Sequence, residues 1–200
     1  MTVVPTQSHT RISTPLSPKR KPPKATGNQQ RQASSAPGEA ASKLSIARHG
    51  AGEWKLVHPR CVREREEDMA EVRRMLEEGE VDVAVDELRW LLDECGDLIE
   101  AHRLLGEIAL GDDDLLLARG HFGYGFQLGR AATGPTVDGT LPYHLPENAA
   151  LHESAKGLAW CLHAMGRRKL ALEVVQQSLA WDPQDPLGIA PWLDQWQSEE

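Results

Sequence analysis

Histidine and cysteine side chains are the first groups in this sequence whose chemistry could define a site. His152, Cys161 and His163 fall within one predicted helix, and His58 lies three residues before Cys61. Along a helix, His152 and His163 would be about 16 Å apart at 1.5 Å per residue, too far to share one metal ion. The chain offers no second His–Cys pair at the spacing of a zinc site. The sequence therefore predicts no metal centre and gives these residues structural or solvent-exposed roles.

Three consecutive aspartates, Asp112 to Asp114, could supply oxygen ligands to a calcium ion. A calcium-binding loop that began at Asp112 would need glycine at its sixth position and glutamate at its twelfth. Those positions hold Leu117 and Gly123 instead. We therefore interpret the run as a turn that provides an acidic N-cap for the following helix.

Four glycines could be taken for a phosphate-binding loop: Gly120, Gly123, Gly125 and Gly129. A phosphate loop follows a strand and opens a helix, and neither is predicted here. The glycines alternate instead with Phe122, Tyr124 and Phe126 in a helical pattern. Each glycine costs a helix interior about 1 kcal/mol relative to alanine. Close helix packing is the predicted reason for them, and contact with a ligand is the alternative.

The three cysteines, Cys61, Cys95 and Cys161, are an odd number without the spacing of a disulfide framework. We expect reduced thiols in a cytoplasmic protein. A catalytic Cys–His pair would have to form in space and does not follow from these spacings. The sequence therefore predicts no enzymatic activity and no cofactor.

Helical periodicity begins at residue 62 and defines the elements that must position these groups. Apolar residues recur at intervals of three and four, with interruptions at Gly79 and Gly166. The paired segments predict helical hairpins. Ala84 and Ala118 are 34 residues apart, and Ala171 follows after 53 more, which equals one further period plus a 19-residue insertion.

The insertion is placed at residues 131–148, where glycines and prolines oppose a continuous helix. These residues are Gly134, Pro135, Gly139, Pro142 and Pro146. We expect this loop to lie beside Trp160 and Lys156.

In this register the chain resembles the tetratricopeptide repeat family over residues 53–197. The second unit carries Leu105-Gly106, Ala118 and Phe122, whereas the third carries Leu158-Ala159, Leu162, Gly166, Ala171 and Pro183. The first unit matches only at Gly79, Ala84, Leu88 and Leu91. The chain also resembles uncharacterised bacterial proteins that share His-Pro-Arg-Cys, here 58–61, and Ala-Arg-Gly-His-Phe-Gly-Tyr, here 118–124.

This resemblance implies an all-α fold, a short right-handed solenoid of three degenerate helical hairpins. Residues Ile189, Trp192, Leu193 and Trp196 recur at helical spacing and would form a C-terminal helix that caps the last hairpin. The family's function would then be protein–protein interaction, as an adaptor or scaffold.

The first helix of each hairpin lines the groove in this family. The resemblance therefore assigns partner binding to Arg103, Glu107, Leu110, Lys156, Trp160 and His163, with Glu100 and Glu153 beside them. Trp160 is the candidate anchor, although it could instead pack under the insertion or the C-terminal helix. Glu107 stands where carboxylate-clamp members carry asparagine, and its charge opposes a C-terminal carboxylate. We expect a protein or peptide partner of basic or mixed charge.

Residues 1–52 differ from the rest of the chain in composition. They contain no aromatic residue and carry eight basic residues against one acidic residue, a net charge of +7, whereas residues 53–200 carry −15. Such a segment is predicted to be disordered. Its basic part, residues 11–31, could bind the acidic domain, could tether the protein weakly and non-specifically to nucleic acid, or could be a solvated linker. The chain contains no predicted signal peptide or membrane span.

Overall fold

The computed structural model describes residues 43–134 and 137–198, where two short strands precede eight helices. The strands are β1 (Ser45–Arg48) and β2 (Trp54–Val57). The helices are α1 (Arg60–Glu64), α2 (Glu66–Glu77), α3 (Val81–Glu94), α4 (Ile99–Gly111), α5 (Leu115–Thr133), α6 (Pro146–Ala164), α7 (Arg168–Trp181) and α8 (Pro191–Gln197). The predicted all-α class is confirmed, with a small two-stranded sheet added to it. None of the helices in the described ranges has the length and apolar character needed to cross a membrane.

The three helical hairpins, α2–α3, α4–α5 and α6–α7, turn in the same way. In each turn a backbone N–H bonds to the carbonyl oxygen five residues earlier. These bonds are Glu80 to Met75 at 2.8 Å, Asp114 to Ala109 at 2.9 Å and Arg167 to Leu162 at 2.8 Å. The residue before each donor has a positive φ: Gly79 at 80°, Asp113 at 60° and Gly166 at 71°. This left-handed ending closes the first helix of each hairpin, at the predicted spacings of 34 and 53 residues.

The apolar residues of the hairpins form two clusters. One cluster joins α2 and α3 to one face of α4 and includes Met69, Val72, Leu88 and Leu105. The larger cluster joins α5, α6, α7 and α8 to the strands and includes Leu56, Phe122, Leu151 and Trp196. The alanines that define the register, Ala84, Ala118 and Ala171, are completely buried. A small side chain at these positions lets the helices approach closely.

The insertion is more helical than predicted. α5 continues to Thr133 and α6 begins at Pro146, so the prediction of a loop is wrong at residues 131–133 and 146–148. A proline is tolerated in the first turn of a helix because the N–H it lacks has no partner there. The connection is also anchored, since Leu141 is completely buried and its N–H donates to the carbonyl oxygen of Trp181 at 2.7 Å.

Strand β1 corrects the predicted boundary of the N-terminal tail. It pairs antiparallel with β2, with Ile46 opposite Leu56, and both side chains pack against the larger cluster. Residues 43–52 therefore belong to the folded domain. Strand pairing and burial stabilise this segment enough to offset the conformational entropy that it loses on folding. Its composition alone had predicted that this entropy would keep it disordered. Residues 1–42, including the basic segment 11–31, lie outside the described residues.

Asn148 joins the strands and the insertion to α6. Its side chain is completely buried. The amide oxygen accepts from the N–H of Leu56 at 2.9 Å, while the amide nitrogen donates to the carbonyl oxygens of Trp54 at 3.1 Å and Pro142 at 3.0 Å. One side chain thus satisfies three backbone groups from two distant segments and fixes where α6 begins.

Candidate binding groove between α4 and α6

The close approach of α4 and α6 depends on two glycines and one phenyl ring. A Cβ atom on Gly106 of α4 would lie 2.7 Å from the ring of Phe122, and one on Gly157 of α6 would lie 2.6 Å from it. The ring belongs to α5 and is buried. Phe122 therefore fills the space that both glycines leave and forms the floor of a groove between α4 and α6.

A cavity of about 430 Å³ lies in this groove. Its lining combines apolar and charged side chains: Glu107, Leu110, Phe122, Glu153, Lys156, Gly157, Trp160, Leu187 and Trp192. Trp160 is 47% exposed, although tryptophan is usually well buried. The cavity thus offers an accessible aromatic face with charged groups at its edge.

Arg103 organises the acidic side of the groove. Its Nη1 atom donates to Oε1 of Glu107 at 2.7 Å, and its Nε atom lies 3.1 Å from Oε2 of Glu153. The Arg103 side chain is 15% exposed, so solvent screens these pairs only partly. The hydroxyl of Tyr143 donates to the other carboxylate oxygen of Glu153 at 2.8 Å, and this bond raises the pKa of Tyr143. Arg103 therefore sets the positions of two carboxylates at the cavity.

Lys156 and Trp160 connect the groove to the C-terminal part of the chain. The Nζ atom of Lys156 donates to the carbonyl oxygen of Leu187 at 3.1 Å. The ring centroids of Trp160 and Trp192 of α8 are 6.4 Å apart. The segment that follows α7 therefore forms one wall of the cavity.

His163 lies away from the cavity. Its ring stacks on Trp196 of α8 at a centroid distance of 4.2 Å and an angle of 5°, and Trp196 also stacks on Trp192 at 4.7 Å. Of the six residues assigned from the sequence, Glu107, Leu110, Lys156 and Trp160 line one cavity. Arg103 holds its carboxylates, and His163 packs under the C-terminal helix.

The insertion does not lie where it was expected. It meets α6 near Asn148 and His152, and the carbonyl oxygen of Leu141 is 2.7 Å from Nε2 of His152. The residues beside Lys156 and Trp160 are instead Leu187, which follows α7, and Trp192 of α8. The expectation was wrong because loop length does not determine the direction in which a loop packs. Among the described residues of the insertion, Tyr143 contacts the groove through its hydrogen bond to Glu153.

Three further residues that line the cavity were not predicted from the sequence: Phe122, Leu187 and Trp192. Phe122 matches a repeat position on the second helix of its hairpin, which the family register does not assign to the groove, and Leu187 lies in a connection with no periodicity. Trp192 and Trp196 recur on one face of the predicted C-terminal helix. The alternative that Trp160 packs against this helix holds in part, because its ring centroid lies 6.4 Å from that of Trp192 while Trp160 stays 47% exposed.

Glu100, expected in the same groove, lies in a separate cavity of about 340 Å³ whose lining also includes His58, Met69 and Glu147. Its carboxylate is 2.5 Å from Nη1 of Arg73 on α2. The groove predicted from the family register is thus divided into two cavities in the structure.

Cys61 and Cys95 form a disulfide, so the prediction of three reduced thiols is wrong. The bond joins α1 to the residue that ends α3, 34 positions away. Their separation in sequence follows no disulfide framework, and only packing brings them within bonding distance. Cys161 is free and buried.

The aspartate and glycine predictions have mixed outcomes. Asp114 accepts from the N–H of Leu117 at 3.0 Å, which confirms the N-cap. A Cβ atom on Gly125 would lie 2.9 Å from Oγ of Ser154, and one on Gly129 would overlap the side chain of Leu151, which confirms close packing there. A Cβ atom on Gly120 would have open space around it, and one on Gly123 would lie 3.7 Å from the side chain of Leu158, an ordinary contact distance. The prediction of close packing is therefore wrong for these two glycines.

Comparison with other proteins adds no relative to this description: no protein-family model, no curated protein and no solved structure matches the chain.

Proposed function

We propose that the chain is a tetratricopeptide-like adaptor that binds a peptide or partner protein in the groove between α4 and α6. The observation that carries this proposal is the half-exposed ring of Trp160 at a cavity with charged edges. Exposed aromatic side chains beside apolar pockets are where binding energy concentrates in protein interfaces.

Support for the solenoid part of the proposal comes from three features that recur with the same two spacings. The left-handed turn residues, the buried alanines and the first residues of α3, α5 and α7 are each separated by 34 and then 53 positions. A repeated hairpin with one insertion requires that turns, small residues and helix starts all recur at the same separations.

The side chains of the groove favour a partner that carries both a basic and an apolar group. Glu107 and Glu153 both pair with the guanidinium of Arg103, and Lys156 donates a hydrogen bond to the carbonyl oxygen of Leu187. Glu107 is exposed and can pair with a basic group, while the apolar wall of Leu110, Trp160 and Trp192 suits a large apolar side chain. We infer a peptide in which an apolar anchor lies next to a basic residue.

The proposal retains the cytoplasmic location expected from the sequence. The disulfide between Cys61 and Cys95 bears against it, because disulfides persist mainly in oxidising compartments. Fractionation of cells that express the full-length chain decides this part of the proposal. Recovery of the chain outside the cytoplasmic fraction would contradict the cytoplasmic location but not the proposal that the groove binds a partner.

The test of binding compares two tryptophans of equal exposure. Trp160 is 47% exposed and Trp90, on α3, is 46% exposed. Partners captured by the full-length wild-type chain are identified by mass spectrometry, and the affinity of each is then measured by calorimetry with Trp160→Ala and Trp90→Ala. We expect Trp160→Ala to weaken binding of the partner by at least about 30-fold, which is the effect of losing a hot-spot residue. Unchanged affinity in both variants would contradict the groove.

A further inference from the structure

Two histidines from different helices meet outside the groove. His102 on α4 and His121 on α5 place their Nδ1 atoms 3.3 Å apart, with ring centroids separated by 5.6 Å. Tyr124 packs on the ring of His102 at 4.5 Å. Their separation of 19 positions in the sequence did not predict this contact, because the turn between α4 and α5 brings them together.

The partner of the second nitrogen fixes the tautomer of His102. Its Nε2 atom lies 3.3 Å from the carbonyl oxygen of Gly96. A carbonyl only accepts, so Nε2 carries the hydrogen and Nδ1 of the neutral ring presents its lone pair toward His121. Metal-binding histidines have this arrangement, in which the other ring nitrogen donates to a carbonyl or carboxylate.

We propose that His102 and His121 bind a divalent transition-metal ion through their two Nδ1 atoms. Nitrogen ligands lie about 2.0–2.1 Å from zinc, so two of them on a tetrahedral ion are about 3.3 Å apart. The two Nδ1 atoms already have this separation. The ion would replace the hydrogen bond between the rings, with the proton of His121 moving from Nδ1 to Nε2 of the same ring, and would join α4 to α5.

The remaining coordination positions would be filled by water. The described residues contain no cluster of three or more His, Cys, Asp or Glu side chains arranged for a metal, so the protein supplies two ligands here. His121 also lines a cleft of about 340 Å³ between α3, α4 and α5, so solvent reaches the His121 side of the pair. Arg89 in this cleft opposes a cation, but Asp86 pairs with it at 3.4 Å and Asp93 lines the same cleft.

The chemistry of the two ligands selects the class of ion. Imidazole nitrogen favours copper, nickel and zinc over magnesium and calcium, which prefer oxygen. Among these ions Cu²⁺ binds most tightly to nitrogen ligands.

Calorimetric titration of the full-length chain with CuCl₂ and ZnCl₂ at neutral pH tests the proposal. His102→Gln and His121→Gln should each weaken binding of the tightest equivalent of metal by at least about tenfold, because even the loss of an outer-shell partner weakens a metal site by about tenfold to 100-fold. His144→Gln, at an exposed position outside the pair, should bind like the wild type. Wild-type affinity in either His102→Gln or His121→Gln would overturn the proposal.

A second measurement does not depend on the stability of the variants. In the wild-type chain, one equivalent of ZnCl₂ should shift the ring-proton resonances of His102 and His121 in NMR spectra and leave those of His144 in place. Shifts confined to other histidines would overturn the site.

Discussion

The phenyl ring of Phe122 occupies the space that a side chain on Gly157 would need. A Cβ atom on Gly157 would lie 2.6 Å from the ring, and Gly106 closes the opposite side at 2.7 Å. The ring is buried and cannot move away from one glycine without approaching the other. Two glycines and one aromatic side chain therefore determine how closely α4 and α6 approach, and hence the depth of the groove.

The first prediction concerns this contact. Gly157→Ala should lower the free energy of unfolding by about 1–3 kcal/mol because the added methyl group overpacks the core. Gly120→Ala is the matched control, since Gly120 also lies in a helix but has open space around it. It should be neutral or more stable by up to about 1 kcal/mol. Denaturant unfolding measures both, and equal stability of the two variants would argue against the packing described.

Asn148 gives the second prediction. Asn148→Ala removes the partner of one buried N–H and two carbonyl oxygens. Each buried group left without a partner costs about 1–3 kcal/mol, so the variant should be among the least stable single substitutions of the chain. Gln176→Ala, at an exposed position of α7, should change the free energy of unfolding little. A small effect of Asn148→Ala would mean that water replaces the amide.

The third prediction is a pH dependence of stability. Burial is the main reason that the pKa of His152 is lower in the folded chain than the ordinary value of about 6.5. The unfolded chain therefore binds more protons between the folded pKa and about 6.5, so stability should fall as the pH drops through this range.

His152→Gln should show a shallower loss of stability with falling pH than the wild type. His102 and His121, whose pKa values are also lowered, retain their part of the slope. His144→Gln is the control for replacing a histidine at an exposed position. Denaturant midpoints at several pH values provide the comparison, and parallel profiles for His152→Gln and the wild type would exclude His152 as a contributor.

The disulfide gives the fourth prediction. Thiol titration of the denatured chain without reductant should detect one cysteine, Cys161, and with reductant three. Closing a loop of this length stabilises a fold by about 2–4 kcal/mol through the unfolded chain. The variant with both Cys61→Ser and Cys95→Ser should therefore melt at a lower temperature, with no further change on adding reductant. Three thiols in the non-reduced chain would refute the bond.

The sequence determined the parts of this protein that depend on neighbouring residues. Helical periodicity, the left-handed turns near Gly79 and Gly166, and the 34-residue register of the alanines are all set by residues close in the chain. Four of the six assigned groove residues line one cavity because that register fixes which face of a helix they share.

Only the tertiary structure decided the contacts between distant segments. It paired residues 45–48 with 54–57, directed the insertion toward Asn148 and His152, joined Cys61 to Cys95 and placed His102 beside His121. It also laid α8 over His163, so that this residue packs against Trp196 instead of lining the cavity. Such contacts depend on the directions in which whole helices and loops pack, and local periodicity carries no information about those directions.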